Sequence, residues 1–456
     1  MIEDLRRFVR EVYNRVPAYR RFLDERGVSP EAPWEQLPLL TKKDYLLVNP
    51  VEDLCWDGSL KDCHHIGSSS GFTSSGPLLW PKRPQDEANY LEALEQMLIE
   101  YHHIDRRRTL VLVCLALGTW MAGMQLATSL RTLAATGRLP LTVSTPGLNL
   151  GQAVDIYARF HRHFDQSLWI TNVSNVTLIA ALMERQGVEP PPGTAFFGVV
   201  GEYLPEALRL WTARRFGHPK DEYMCIWTGY GSSDIGDLAS ETPDTIALRR
   251  YIYERPELSN RLFGTDNTPL IMATSPSAHL EIIGENIVAT KDQLIPLIRY
   301  NTGDSGGLLR REELADTGEI PEELLQKLPE IMLYVAGRTS DAVIFYGTNL
   351  MVGDIHGHLL SLPEEMGYGG AFELSQREEG GITLFHFKVY VKDPQNQALA
   401  GQYQRAIVDF LGSRSLEFRT KYQALCASVG RELIEVELAD AAERPANLKH
   451  RFLVQP

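Results

Sequence analysis

The sequence is poor in cysteine: five in 456 residues, at Cys55, Cys63, Cys114, Cys225 and Cys426, none of them paired as C-x-x-C. That excludes a disulfide-stapled fold and points to a reducing, cytoplasmic setting. Positive charge is also short, with 45 lysines and arginines against 59 acidic residues. A formal charge of −14 argues against duplex nucleic acid as the main partner, because neutralising phosphates requires a basic surface. The opening MIEDLRRF has no apolar core of the kind an export signal needs. One uncharged stretch, residues 109–130, is long enough to span a bilayer, but Gly118-Thr119 interrupts it. A β-rich run before that break and a small-residue helix pattern after it fit a buried strand, turn and helix better than a span.

What is present is ordinary globular composition, 44% hydrophobic, in a chain long enough for two or three structural units. Leu5, Phe8, Val9, Val12, Tyr13 and Val16 share one helical face, and Pro17 is expected to end that helix. A second helix is expected over 86–101. Strand and helix patterns then alternate: VLVCLAL, a helix from Met121, LPLTVS, a helix from Gly151, LWITN, a helix over 178–185, AFFGVVG, a helix from Pro205, and EYMCIWTGYG. Such alternation implies βαβ units and a mainly parallel sheet. The tract 247–300, from ALRRYIYE to PLIRY, reads as short strands of a small antiparallel sheet or barrel. Beyond it AVIFYG, a helix over 353–361, AFELSQ, ITLFHFKVYV, a helix near 396–411 and LIEVELA give the order β-α-β-β-α-β of a compact α+β unit. The expected organisation is α/β: a large N-terminal domain over 1–337 with mainly parallel sheets plus a small antiparallel sheet or barrel, a hinge at 338–341, and a small C-terminal α+β domain over 342–456.

Four segments carry chemistry. GSSSGFTSSGP at 67–77 is rich in hydroxyls and has three glycines, so backbone N–H groups and hydroxyls could converge on a polyphosphate. No G-K-[ST] follows, which excludes a Walker A loop, and a flexible polar linker explains the same letters. GYGSSDIG at 229–236 follows the apolar run MCIW and puts serines and a carboxylate at a strand end, where ligands of α/β folds bind. An N-capped turn reads the same way. IPLIRYNTGDSG at 295–306 places Asp304 in a turn after a strand, able to accept from vicinal sugar hydroxyls or simply to make the turn. LYVAGRTSDAVIFYGTNL at 333–350 lies at the expected domain boundary.

In this order, with Gly201-Glu202 between the first and second, the segments resemble the ATP-dependent adenylate-forming (acyl-activating) enzymes. The phenylacetate–CoA ligase branch is the most similar, and VPAYRRFLDERGV with LPLLTKKDY near the start also match it. The resemblance covers nearly the whole chain. It implies that Ser69, Ser70, Gly71 and Thr73 form a loop over the β- and γ-phosphates, and that Gly201 and Glu202 line the adenine pocket. Tyr230 would stack near adenine, with Gly231, Ser232 and Ser233 beside the α-phosphate and acyl group. Asp234 would take the place of the family's Mg²⁺-associated glutamate, and Asp304 would hold the ribose hydroxyls. Arg338 would begin the hinge on which a mobile C-terminal domain turns, and Gly347 would approach the thiol channel. Lys449 is the nearest match to the family's adenylation lysine, out of step by about one residue. Trp120 and Met121 follow the strand that flanks the acyl pocket in relatives, and either an apolar wall for an aromatic acid or core packing would account for them.

The implied reaction joins two anions, a carboxylate and the α-phosphate of ATP, with Mg²⁺ and positioned donors lowering the repulsion. The acyl-adenylate then passes to a thiol, most simply coenzyme A, while the small domain rotates between steps. Alternatives are transfer to an amine, a hydroxyl or a carrier-protein thiol, or a nucleotide- or acyl-binding protein that has lost turnover. The last is motivated by departures from the family pattern: Ser75 where the loop lysine is expected, Asn301 for the arginine of Y-R-T-G-D, and Ser340 for the first hinge acid. Lys82 could reach back to the loop. Dimers are common in this branch, which makes a homodimer one expectation. Cys63-His64-His65 could bind a metal, although polar packing is the plainer reading. His161/His163 and His356/His358 read as surface pairs. No G-x-S-x-G elbow is present, which disfavours a serine hydrolase.

Overall fold

A computed structural model describes residues 4–68, 79–265, 268–337, 342–345, 348–379, 382–414 and 416–444. Ser69, Ser70, Gly71, Thr73, Ser75, Arg338, Ser340, Gly347 and Lys449 lie outside them. The chain forms two compact units, each woven from three segments: 1–107, 116–143 and 227–338 in the first, and 108–115, 144–226 and 339–456 in the second.

The first unit begins with the helix Leu5–Arg15, capped by Asp4, whose side chain accepts from Arg7 N at 2.9 Å, and burying Phe8, Val9 and Val12. Pro17 does not only end this helix. It occupies the first turn of a second, Pro17–Asp24, where its missing N–H costs nothing. Both helices pack into one apolar core with Leu40, Tyr45, Trp56, Trp80, Met121, Ile298 and Tyr300. Each such fully buried side chain contributes roughly 1.5–3 kcal/mol.

Seven strands of this unit form an antiparallel run, in the order Ala278–Ile283, Asn286–Lys291, Leu297–Arg310, Ile331–Gly337, Leu270–Thr274, Gly236–Ser240, Ile226–Ser232. The hydroxyl/glycine segment is entered by the strand His65–Ser68 and left by Leu79–Lys82, which pair antiparallel. ALRRYIYE, expected as strand, is the helix Pro243–Tyr253. Thr242 caps it, Pro243 starts it, and Leu248 and Ile252, four apart, are both fully buried. Capping and burial outweigh the strand preference of the Tyr-Ile-Tyr run.

The second unit holds the parallel strands Thr109–Cys114, Gln166–Asn172 and Ala195–Val200, with the helices Leu150–Phe160, Asn175–Arg185 and Glu206–Arg215 between or after them. The uncharged stretch 109–130 is therefore a strand followed by the helix Met121–Ala135, and no helix among the described residues is long and apolar enough to cross a membrane.

Its C-terminal part differs from the expected β-α-β-β-α-β order. Ala342–Phe345 pairs with an additional strand, Thr348–Met351, as a separate hairpin, and a second helix, Leu416–Val429, follows Ala398–Arg414. The three remaining strands make one sheet, Tyr368–Glu379, Ile382–Val391 and Ile434–Asp440, the last pair parallel. His356, expected at the surface, is buried, and its Nδ1 lies 3.0 Å from the Tyr368 hydroxyl, because the helix Val352–Ser361 turns that face onto the sheet. The same sheet meets the helix Asn175–Arg185, where Thr177 Oγ1 donates to Gly370 O at 3.3 Å.

Candidate nucleotide site

The strand Leu297–Arg310 organises the first unit's candidate residues. Asn301 pairs with Val288 and Ser305 with Asn286, so Thr302, Gly303 and Asp304 together oppose Ile287. Such an insertion bends a strand and re-aims its side chains. Asp304 therefore sits on a bulge inside a long strand rather than in a turn after one. Thr302 Oγ1 donates to Ile287 O at 2.9 Å and accepts from Asp304 N at 3.2 Å, which fixes the bulge.

Tyr230 comes from the hairpin Ile226–Ser232 and Gly236–Ser240. Its hydroxyl donates to Asp304 Oδ2 at 2.9 Å and lies 3.2 Å from Thr302 Oγ1. Two of the segments named from sequence are thus joined by a direct bond. A carboxylate has about four lone-pair sites, so one tyrosine does not exhaust Asp304 as an acceptor. Gly231 is required by the hairpin itself: a Cβ there would collide with the Gly236 carbonyl. Ser232 ends the strand, and Ser233 and Asp234 make the turn into the next one.

Asp234 is buried, and Tyr300 Oη donates to its Oδ2 at 2.5 Å. The Lys42 ammonium stands 3.5 Å from the same oxygen, and Gln293 Nε2 donates to the Asp234 carbonyl at 2.6 Å. The Asp234 Oδ2 is thus held by a short hydrogen bond and faces a cation, so a magnesium ion at Asp234 would have to bind through Oδ1. Among the described residues no group of three His, Cys, Asp or Glu side chains could hold a metal. His64 and His65 both turn to Glu87, at 2.8 and 2.9 Å. Burial pushes the Glu87 carboxyl up, but these two bonds outweigh it and hold the group below its ordinary value.

Lys82 is buried, and burial pushes its ammonium down while Asp86, Asp237, Asp234 and Glu87 pull it up. The segment it was expected to reach toward, 69–78, lies outside the described residues. Lys291 donates from Nζ to Asp237 O at 2.6 Å. Met121 packs into the core, and a Cβ on Gly67 would collide with its side chain, so it supports the strand that enters the hydroxyl-rich segment. Trp120 is half-buried and pairs through its backbone with Ser68, whose N–H donates to Thr119 O at 2.6 Å.

Gly201 and Glu202 belong to the second unit. Glu202 accepts from Ser174 N at 2.7 Å and from Ser174 Oγ at 3.1 Å. Arg444, buried beside them, donates to Ser174 O and lies over the Tyr390 ring at 5.9 Å. Burial pushes its guanidinium down to about 10, against the pull of Glu202.

Sequence reasoning passed over Lys42 and Tyr300. Both were in quoted segments, LPLLTKKDY and IPLIRYNTGDSG, but no spacing signal separates Lys42 from Lys43.

No sequence-family model matches the chain, and a search of curated proteins finds no match. Solved structures do match it. 2-Hydroxyisobutyryl-CoA ligase in its postadenylation state, with R3-HIB-AMP, aligns at a TM-score of 0.68 and 14% identity, covering 99% of this chain and 88% of that one. The same enzyme with 2-HIB-AMP and CoA in the thioesterification state gives 0.53 at the same identity and coverage. An acyl acid amido synthetase in complex with 2,4-DB gives 0.59 at 11% identity, over 95% of this chain and 85% of that one. The chain has the α/β fold of the adenylate-forming enzymes.

Proposed function

We propose that the protein activates a carboxylic acid with ATP, forming an acyl-adenylate and pyrophosphate, and passes the acyl group to coenzyme A. The observation that carries this reading is the bond between Tyr230 and Asp304. It joins an aromatic ring suited to stack on a base with a carboxylate suited to accept from ribose hydroxyls, within a fold shared with ligases of this type. Ser232 and Ser233 follow Tyr230 at the strand end, where they are placed to donate to an α-phosphate. Lys449 is assigned to adenylation and Arg338 to the hinge, on the resemblance alone. Trp120, half-buried beside Ser68, is assigned to the wall of an acyl pocket suited to an aromatic acid.

Adenylation needs no protein nucleophile: the carboxylate oxygen attacks the α-phosphorus and pyrophosphate leaves. The site's work is to hold two anions in line in a dry setting. No step is assigned to Asp234 as a metal ligand.

Pyrophosphate release across a panel of aromatic, aliphatic and amino acids tests the proposal. Release with at least one acid is expected. ATP binding without release from any acid would instead support a binding protein that has lost turnover. Coenzyme A added to a positive reaction should give a thioester. Because the fold is shared with an amido synthetase, the parallel assay offers amines, and amide formation without thioester would reassign the acceptor.

A further inference from the structure

Beside the hairpin that carries Ser232, two lysines face a recess with no acid paired to either ammonium among the described residues. We infer that the acid activated by this protein carries a second carboxylate, which Lys82 and Lys291 hold while the first one reacts; this deepens the adenylating reading above and rests on it.

Lys82, the last residue of the strand Leu79–Lys82, is only 8% exposed. Among the described residues its ammonium makes no hydrogen bond and no ion pair, yet it is not sealed from solvent. The acids around it are held elsewhere. Asp86 accepts from Arg83 Nε at 2.9 Å and from Leu294 N at 3.1 Å, Glu87 serves His64 and His65, and Asp234 serves Tyr300. Asp237 acts on Lys82 electrostatically without pairing to it. A buried ammonium in this condition is costly, and an anionic group of a ligand relieves that cost.

Lys291 places the recess next to the reacting centre. It donates from Nζ to Asp237 O at 2.6 Å, and a Cβ on Gly236 would stand only 3.3 Å from that nitrogen. Gly236 pairs with Ser232 across the hairpin, and Asp237 pairs with Gly231. The Lys291 ammonium is therefore one cross-strand step from the serines assigned to the α-phosphate. Its single hydrogen bond leaves two of three donors unused.

Two more side chains complete the recess. Tyr90, on the helix Pro84–His102, has a hydroxyl without a hydrogen bond among the described residues, and the Asp237 charge acts on it as well. Asp237 itself is exposed, but the protein around it still pushes its carboxyl up, as on the wall of a concave surface. Two ammoniums against one carboxylate leave one positive charge, which a second carboxylate on the substrate balances. An unsubstituted apolar tail would leave Lys82 dry and unpaired.

The test measures pyrophosphate release by the full-length protein with matched acids, benzoate against isophthalate and pentanoate against glutarate, as kcat/KM. Wild type should favour the dicarboxylate of at least one pair by about tenfold or more, because a site built to bind a charged group rejects the analogue that lacks it. Lys82→Met should erase most of that preference. Lys291→Met, at a less buried position, should lower the same ratio and supplies the comparison if Lys82→Met does not fold. The ratio is the readout because a lysine that only supports the fold lowers both rates together. Release confined to monocarboxylic acids, equal or higher kcat/KM for the monocarboxylate in both pairs, or a dicarboxylate preference that the two variants leave intact overturns this inference alone. No release from any acid brings down the adenylating reading and this inference with it.

Discussion

The Tyr230 hydroxyl donates to Asp304 Oδ2 at 2.9 Å, joining residues 74 positions apart in the chain. A bond this specific, across two strands of one sheet, makes a graded prediction. Tyr230→Phe removes the donor but keeps the ring, and should weaken ATP binding by about tenfold, the lower end for a bond to a charged group. Asp304→Ala removes the carboxylate and should abolish pyrophosphate release while the protein stays folded. Near-normal release by Asp304→Ala would remove that residue from the ribose site.

Why Asp304 was legible and Lys42 was not follows from what each depends on. Asp304 lies in a stretch of glycine, threonine and acid, recognisable as special by composition. Its placement on a bulge depends on the register with Asn286 and Val288, which no local pattern records. Lys42 and Lys43 are chemically identical neighbours, and only the pairing of Leu40 with Tyr300 and the burial of Tyr45 choose between them. The first helix was readable because Phe8, Val9 and Val12 repeat at helical spacing and stay on one buried face. ALRRYIYE misled because its aromatic and β-branched residues favour strands locally. The decision came from the Thr242-Pro243 start and from Leu248 and Ile252 reaching a distant core.

His218 gives a pH signature. Its Nε2 lies 2.7 Å from Ala195 O, its Nδ1 is buried without a partner among the described residues, and burial pushes its pKa below the ordinary 6.5. The unfolded chain therefore binds a proton below pH 6.5 that the folded chain refuses, so the unfolded state holds more protons and stability falls as pH falls. The slope is up to about 1.4 kcal/mol per pH unit, and it ends once the folded-state value is passed. Denaturant unfolding of wild type and His218→Gln from pH 7.5 to 5 should show a shallower decline in the variant. Parallel declines would show that His218 does not set the slope.

Arg444 is buried where its guanidinium serves the Ser174 carbonyl and faces Glu202, which is itself held by Ser174 N and Oγ. Arg444→Met removes the charged donor to that carbonyl, leaving it the 3.3 Å contact from the Thr177 hydroxyl, and removes the charge that offsets Glu202, a loss of roughly 1–3 kcal/mol. A lowered denaturant midpoint with unchanged slope is expected. Combined with Glu202→Gln, the loss should be smaller than the sum of the two single losses by at least about 0.5 kcal/mol, because the two sites share a network. Strict additivity would mean that they act independently.

Gly370 tests how closely the C-terminal sheet meets the helix Asn175–Arg185. Its φ of +73° is a conformation other residues adopt reluctantly, and a Cβ there would strike the Thr177 side chain. Two separate penalties should therefore follow Gly370→Ala: about 1–2 kcal/mol of backbone strain and about 1–3 kcal/mol of overpacking. Thr177→Gly removes every side-chain atom the new methyl would strike, at the expense of the 3.3 Å bond from Thr177 Oγ1 to Gly370 O and about 1 kcal/mol of helix propensity. The double variant should recover the packing part of the Gly370→Ala loss and retain the backbone part. Thermal unfolding of the two single variants and the double variant separates these contributions. Full recovery in the double variant would show that the collision, and not the left-handed backbone, is what fixes glycine at this contact.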